Sequence, residues 1–438
     1  MAEPESNHPP TPEPQPDLAA MAYAPEARRQ SAWVGVVVLA LVLRIAWAAI
    51  VPMVPISDCA AYDTFARNLA AHNVFGFEAT KPTAFWPPGT SFVYSLIYRV
   101  LDPATYGYTP VIAFNVLLGV ASVLLAGLLA RRWFGERVGL VTALLMANWP
   151  MHIEFSTILS SEQMFTGLCL GAMLAWPGQR QIAPVRLVLV AVLFAGATYM
   201  RTTALLIPFI LIGIDFLRTL SVPVALIRGV TIALVMLACI APWTKRNYDL
   251  FGKFVPIAAN SGSNFWMGNN PNSKGEYQDL PEFPGLNEAE RDAKLKQEAW
   301  AYIKQDPGAF AKRTIIKAGR LYERETIGIA WNQEGLKRIG ASDRAIKALK
   351  LASEAFWIAI LATGVIGAVL LLRRGFFNAI LHPTIVLVAY YTAVHAVVVI
   401  QDRYHFPVTP MIGALAALAL THLGQYFVSR KQPGANPA

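Results

Sequence analysis

Long apolar runs alternate with short polar stretches along almost the whole chain. A helix crossing the hydrocarbon core of a bilayer needs roughly 20 predominantly apolar residues. Runs approaching that length recur at 32–54, 110–130, 138–154, 162–177, 186–200, 203–217, 229–243, 354–372, 383–401 and 406–425. Several are short, so their polar ends must be drawn into the helix. The pattern predicts an all-α polytopic membrane protein with about ten transmembrane helices. It divides the chain into a Pro-rich disordered tail (1–30), an N-terminal transmembrane module (31–243) with a first outer loop (55–109), a long polar segment (244–353), C-terminal transmembrane helices (354–427) and a short tail (428–438). The long segment holds helical stretches rich in Glu and Lys, such as 287–304, after an irregular Gly268-Asn269-Asn270-Pro271 turn. It has no strand pattern strong enough for a β domain.

Charge placement sets the orientation. Lys and Arg mark the connections on the cytoplasmic side. With the N-terminus inside, those connections carry Arg28-Arg29, Arg131-Arg132 with Arg137, Arg180 and Arg186, Arg218 and Arg228, Arg373-Arg374, and Arg430-Lys431. Every expected inner connection is basic. Pro87-Pro88-Gly89 opens a further apolar stretch to about Leu101. Counting it as a span would reverse every later connection, so it reads as a juxtamembrane helix on the outer surface. The chain is 55% hydrophobic and only 15% charged, against roughly 25% charged in a soluble domain. The net charge of +9 sits largely beside apolar runs, which points to topology and the lipid bilayer, with no nucleic-acid partner.

The candidate chemistry lies on the outer side. In the first outer loop, Asp58 stands just beyond the first span, with Tyr62 one helical turn on. A carboxylate at that boundary is placed to take a proton from a hydroxyl; alternatively, Ser57 or Asp58 is simply an N-cap. Glu162 opens the fourth run and is suited to orienting a sugar hydroxyl. Ser160 with Gln163 is also a capping-box spacing, and the two roles are compatible. Short outer loops should be poor in cations, yet Arg201, Lys245-Arg246 and Asp402-Arg403-Tyr404 all fall there. Any one of these arginines could pair with Asp402 or snorkel to headgroups. Three such sites on one face point to a shared anion pocket, since arginine grips phosphate oxygens in a bidentate way. Arg44, inside the first span, reads as structural.

The three cysteines and seven histidines show no metal-ligand spacing, so no metal is expected. No phosphate-binding loop, dinucleotide glycine pattern or nucleophile elbow is present, and no cofactor is expected.

Taken in order, Asp58 to Tyr62, Pro87-Pro88-Gly89, Ser161-Glu162, Arg201-Thr202, Pro242-Trp243 with Arg246-Asn247-Tyr248, Gly268 to Pro271, and Arg403-Tyr404 with Pro407 resemble the GT-C superfamily of membrane glycosyltransferases. The closer resemblance is to the branch related to glycosyltransferase family 39, with the protein O-mannosyltransferases and lipid A aminoarabinose transferases. It extends over residues 30–425. It implies a GT-C-like bundle with outer juxtamembrane helices and a long outer loop. It also implies an inverting enzyme of a bacterial inner membrane, acting on the outer face. The donor would be a polyprenyl-phosphate sugar, the acceptor a glycan, lipid or protein hydroxyl, and Asp58 the general base. Many relatives have a second acidic residue directly after that aspartate, where this chain has Cys59. The competing readings are a transporter or flippase of a lipid-linked sugar, and a non-catalytic assembly subunit.

Overall fold

The computed structural model describes residues 18–431. Of the tails assigned to 1–30 and 428–438, residues 1–17 and 432–438 lie outside the described residues. Among the described residues the chain is helical throughout, with one isolated bridge between Glu78 and Lys81 in place of any strand. The first helix, α1 (Leu18–Ile50), begins within the stretch assigned to the tail, where Leu18-Ala19-Ala20-Met21 supplies strong helix formers. Next, in the stretch expected on the outer side, come α2 (Asp58–His72) and α3 (Gly89–Val100). The bundle continues through α4 (Thr109–Phe134), α5 (Glu136–Asn148), α6 (Ser161–Ala175), α7 (Pro184–Met200), α8 (Ile207–Thr219) and α9 (Val222–Phe251). The long polar segment contributes α10 (Ser261–Asn269), α11 (Glu288–Gln305) and α12 (Pro307–Arg320). The bundle then closes with α13 (Asp343–Arg373), α14 (Pro383–Val397) and α15 (Thr409–Lys431).

Each expected span falls on a helix, but not every one has spanning length. Among the described residues six helices are long and apolar enough to cross a membrane: Arg29–Ile50, Thr109–Phe134, Thr202–Thr219, Val222–Phe251, Asp343–Arg373 and Phe406–Gly424. A seventh crossing forms only if Pro150–Thr157 and Ser161–Ala175 count together, and these are bent by 120°. Pro184–Met200 and Pro383–Val397 are shorter apolar helices.

The ambiguous stretch after Pro87 is α3, whose 12 residues reach only about 18 Å. It is too short to span. It buries Ser91, Tyr94, Ser95 and Tyr98 against the protein and exposes Phe92, Leu96 and Val100. An outward apolar face on a short helix is what a bilayer surface covers.

Packing follows small residues. At Gly367 of α13 a Cβ would lie 1.9 Å from the Leu415 carbonyl oxygen of α15, so only glycine permits this approach. Helix α15 also packs on α5, which in turn lies along α4; α6, α7 and α9 continue the row. Arg44 is fully buried in this core and donates to the Ala40, Met146 and Ala147 carbonyls, the last two at the end of α5. It is structural.

The basic connections gather at one end of the bundle, where they satisfy the carbonyls that helix C-termini leave unpaired. Arg132 donates to the Leu174 and Trp176 carbonyls, and Arg186 to those of Ala175 and Trp176. Arg228 pairs with Asp215 at 2.6 Å and reaches the Gln181 carbonyl, while Arg218 holds those of Asn378 and Leu381. At the opposite end, the long segment is tied to the outer loops. The Glu288 carboxylate accepts from Thr83 Oγ1 at 2.6 Å and the Ala84 amide at 2.8 Å, and the Val399 amide donates to Asn264. Helix α11 starts on a capping box between Asn287 and Glu290.

The two ends give a direct test of orientation. In a Cys239→Ala background the other thiols, Cys59 and Cys169, are buried. Gln297→Cys is expected to react with an impermeant maleimide on intact cells, and Gln179→Cys only after permeabilisation. Labelling of both from the same side overturns the topology.

Candidate active site

The local backbone brings Asp58 to the start of α2. The residue before it, Ser57, sits at φ 51°, a left-handed conformation that costs a non-glycine residue about 1–3 kcal/mol. Ser57 makes no side-chain cap. The carboxylate of Asp58 instead pairs with Arg403. The capping alternative is therefore not what these side chains do.

Glu162 reaches the same place by a different device. The 120° bend after Thr157 turns the start of α6 inward, and Glu162 in its first turn is fully buried. The expected capping box does not form: Ser160 makes no cap bond and its Oγ has no partner, while Gln163 turns to the His152 carbonyl. Glu162 Oε1 accepts from Arg201 Nη1 at 2.7 Å and lies 3.5 Å from Arg403 Nη1. Arg201 also donates to Ser161 Oγ at 3.2 Å.

Two carboxylates and two guanidiniums thus form one array, drawn from the starts of α2 and α6, the end of α7, and the loop before α15. Aromatic rings wall it. The Arg201 guanidinium lies 5.0 Å from the Tyr404 ring centre, and Arg403 lies 5.5 Å from that ring and 4.5 Å from Trp331. Such contacts contribute about 0.5–2 kcal/mol each. Burial alone lowers the pKa of both arginines, but the carboxylates beside them outweigh it and raise it, Glu162 for Arg201 and Asp58 with Glu162 for Arg403. Both stay charged. Tyr62 is buried against the Trp86 ring at 5.2 Å, and burial, then the Glu162 and Asp58 charges, raise its hydroxyl pKa. It is a neutral hydrogen-bonding group.

Three of the residues expected here lie elsewhere. Lys245 is exposed and pairs with Asp249 at 2.7 Å, one turn along its own helix. Arg246 donates to the Thr83 carbonyl at 2.7 Å and stacks on Trp243, so it anchors the first outer loop. Asp402 does not pair with either arginine of the array. Its carboxylate accepts from the Thr326 amide and hydroxyl, both at 3.3 Å, and burial raises its pKa.

Sequence reasoning missed what supports Arg403. Gln401 Oε1 accepts from its Nε at 2.7 Å, and Trp331 comes from the long segment. Behind the loop, His405 and Glu325 are fully buried together. Their contact is 3.4 Å, and Trp149 Nε1 donates to the other Glu325 oxygen at 2.5 Å. Burial lowers the His405 pKa to about 4 and raises that of Glu325 well above its ordinary range. His405 Nδ1 meets the Leu321 carbonyl at 2.9 Å, so it carries the proton. Nε2 is then an acceptor, and a protonated Glu325 donates to it. The pair is neutral. The only sequence signal was an apolar patch, Ile327 to Trp331, interrupting charged residues.

Residues 86–243 match the family model described as dolichyl-phosphate-mannose-protein mannosyltransferase. No curated protein matches the sequence. The Archaeoglobus fulgidus oligosaccharyltransferase AglB, solved with an inhibitory peptide and a dolichol-phosphate, superposes with a TM-score of 0.55 at 15% identity, over 94% of this chain and 53% of that one. The same archaeal enzyme with Zn and sulfate gives 0.53 at 16% identity, over 90% and 50%. This chain therefore spans about half the length of that protein. ArnT from Cupriavidus metallidurans bound to undecaprenyl phosphate covers 92% of this chain and 81% of its own at 16% identity, with a TM-score of 0.43. The family match over 86–243 and the shared fold bear out the resemblance to the GT-C superfamily: this is a polytopic membrane protein with a GT-C-type helical bundle.

Among the described residues no group of three or more His, Cys, Asp or Glu is placed to hold a metal ion. Cys59 stands beside Asp58 as a buried thiol whose pKa burial raises, and both carboxylates of the array are held by guanidiniums.

The array is costly to break and the outlying pair is not. Glu162→Gln leaves Arg201 without its buried counter-charge and Arg403 with Asp58 alone, and is expected to destabilise by about 3–5 kcal/mol, whereas Lys245→Ala should stay within about 0.5 kcal/mol. Denaturation in detergent compares them; equal effects discard the array as a structural element. For the neutral pair, Glu325→Gln preserves both hydrogen bonds and should cost no more than about 1.5 kcal/mol. A loss of about 3–5 kcal/mol would instead reveal a charged pair.

Proposed function

We propose that the protein is an inverting glycosyltransferase that moves a hexosyl or pentosyl group from a polyprenyl-phosphate carrier to a hydroxyl acceptor. The observation that supports this is the convergence of Asp58, Glu162, Arg201 and Arg403 at the end of the bundle opposite the basic connections. The family description and the lipid phosphates named in the solved structures agree with such a donor.

The donor phosphate binds between Arg201 and Arg403, where charge-assisted hydrogen bonds offset its charge. Arg403 is then shared between phosphate and Glu162, which frees Asp58. The acceptor oxygen attacks the anomeric carbon and its proton passes to the Asp58 carboxylate. The bond from the anomeric carbon to the phosphate oxygen breaks, and its electron pair leaves on the lipid phosphate. That leaving group needs charge stabilisation rather than a proton, which suits two permanent cations. One displacement inverts the anomeric centre; a retaining path needs a carboxylate nucleophile. Glu162 keeps Arg201 and Arg403 aimed at the phosphate, and Tyr62 and Tyr404 flank the array. The acceptor is a glycan, lipid or protein, and the active site faces the periplasm or cell exterior of a bacterial inner membrane. The transporter alternative calls for polar groups free inside the bundle. Arg44 is taken up by backbone carbonyls and gives it no support.

The test uses purified protein, a polyprenyl-phosphate sugar and measurement of released lipid phosphate. Asp58→Asn should still bind lipid phosphate yet lose about 10²–10⁴ in rate, the range of a general base. Full turnover in that variant removes Asp58 as the base, and a product with retained anomeric configuration rules out the single displacement.

A further inference from the structure

The basic end of the bundle carries a cavity of about 540 Å³. Its polar lining includes Arg29 at the start of the spanning part of α1, Arg137 in the first turn of α5, and Arg374 just after α13. These come from three distant parts of the chain. The one acid in the lining is Glu136, and it is already engaged: Oε1 accepts from Trp33 Nε1 at 2.6 Å and Oε2 pairs with Arg131 at 2.6 Å. None of the three arginines of the cavity has a carboxylate partner among the described residues. This distinguishes them from Arg132, Arg186, Arg218 and Arg228, which cap helix carbonyls nearby.

Topology alone does not explain the arrangement. The rule that places cations on the inner side is satisfied wherever they sit on that surface. Here three exposed cations from distant parts of the chain line one concavity, an arrangement that an entering anion completes. Phe134, Val138, Leu140 and Leu418 supply an apolar wall, beside which stand Thr421 and His422. A free phosphate has no use for such a wall. A phospholipid does, because its glycerol and first acyl carbons follow the headgroup. The volume falls in the range of small-molecule sites, and basic pockets between helices on this face of a membrane suit anionic headgroups.

We propose that this cavity binds the phosphodiester headgroup of an anionic phospholipid through Arg29, Arg137 and Arg374, at the end of the protein opposite the carboxylate–guanidinium array. The site is independent of the transferase reading, because none of its residues belongs to that array. Occupation ties α1, α5 and α13 together at their ends, in the way that Arg132 and Arg186 tie α4 and α7 to α6.

The test is made on the full-length protein, stripped of lipid in detergent and titrated with phosphatidylglycerol, with bound lipid counted by native mass spectrometry. Arg137→Gln with Arg374→Gln should weaken binding at least tenfold. Arg180→Gln with Arg373→Gln removes the same charge from exposed positions outside the lining, and should change binding less than threefold. A charge-neutral variant, Leu418→Trp, fills the cavity and should also reduce binding. Equal weakening by the two double variants assigns the effect to diffuse surface charge and overturns the proposal. Inorganic phosphate is the second arm: if it binds with the same arginine dependence while phosphatidylglycerol is not retained, the ligand is a free phosphate and the lipid assignment falls.

Discussion

The outer half of the structure depends on one buried ion array. Glu162 has no access to solvent and would be very unfavourable there as an isolated charge. Arg201 and Arg403 make its burial tolerable, and Asp58 completes the balance at the other side of Arg403. Removing any member leaves an uncompensated charge, so the four segments that carry them are held in register by electrostatics as much as by packing. A buried pair of this kind adds little net stability over apolar contacts. What it supplies is geometry: two cations and an acid fixed within one small volume, available to a phosphate that can replace a carboxylate as partner.

The supports of that array are mostly neutral. Trp331 and Tyr404 cover the guanidiniums, Gln401 fixes Arg403 at Nε, and the protonated Glu325 with its neutral histidine props the same loop from behind. Charge is thereby confined to the four members of the array. Lys317 extends the scaffold by donating to the Gly268 and Val398 carbonyls at 3.0 Å each, joining the end of α10 to the start of the loop that carries Arg403. Burial, and then the Arg313 charge, lower its pKa to about 8.

The two ends of the bundle use arginine differently. At the basic end, guanidiniums cap helix C-termini and three more line an apolar-walled cavity. At the opposite end they neutralise carboxylates. The same residue type therefore sets the topology, finishes helices and builds the candidate active site, according to which acceptors the fold places within reach.

The sequence by itself determined the helical, membrane-embedded character, the positions of the helices and which connections are basic, because these follow from hydropathy and local charge over a dozen or two neighbouring residues. It also singled out Asp58, Glu162, Arg201 and Arg403, since acids and cations beside apolar runs are conspicuous. Tertiary structure alone decided that these four meet while Lys245, Arg246 and Asp402 do not. The first pairs along its own helix, the second holds the Thr83 carbonyl and the third turns to Thr326. It alone decided that Ser160 leaves its cap unmade, that the chain turns by 120° between the third and fourth runs and that Trp331 covers Arg403. The physical reason is range: periodicity and propensity act between neighbours in the chain, whereas an ion pair across 345 residues exists only once the helices that carry it have packed.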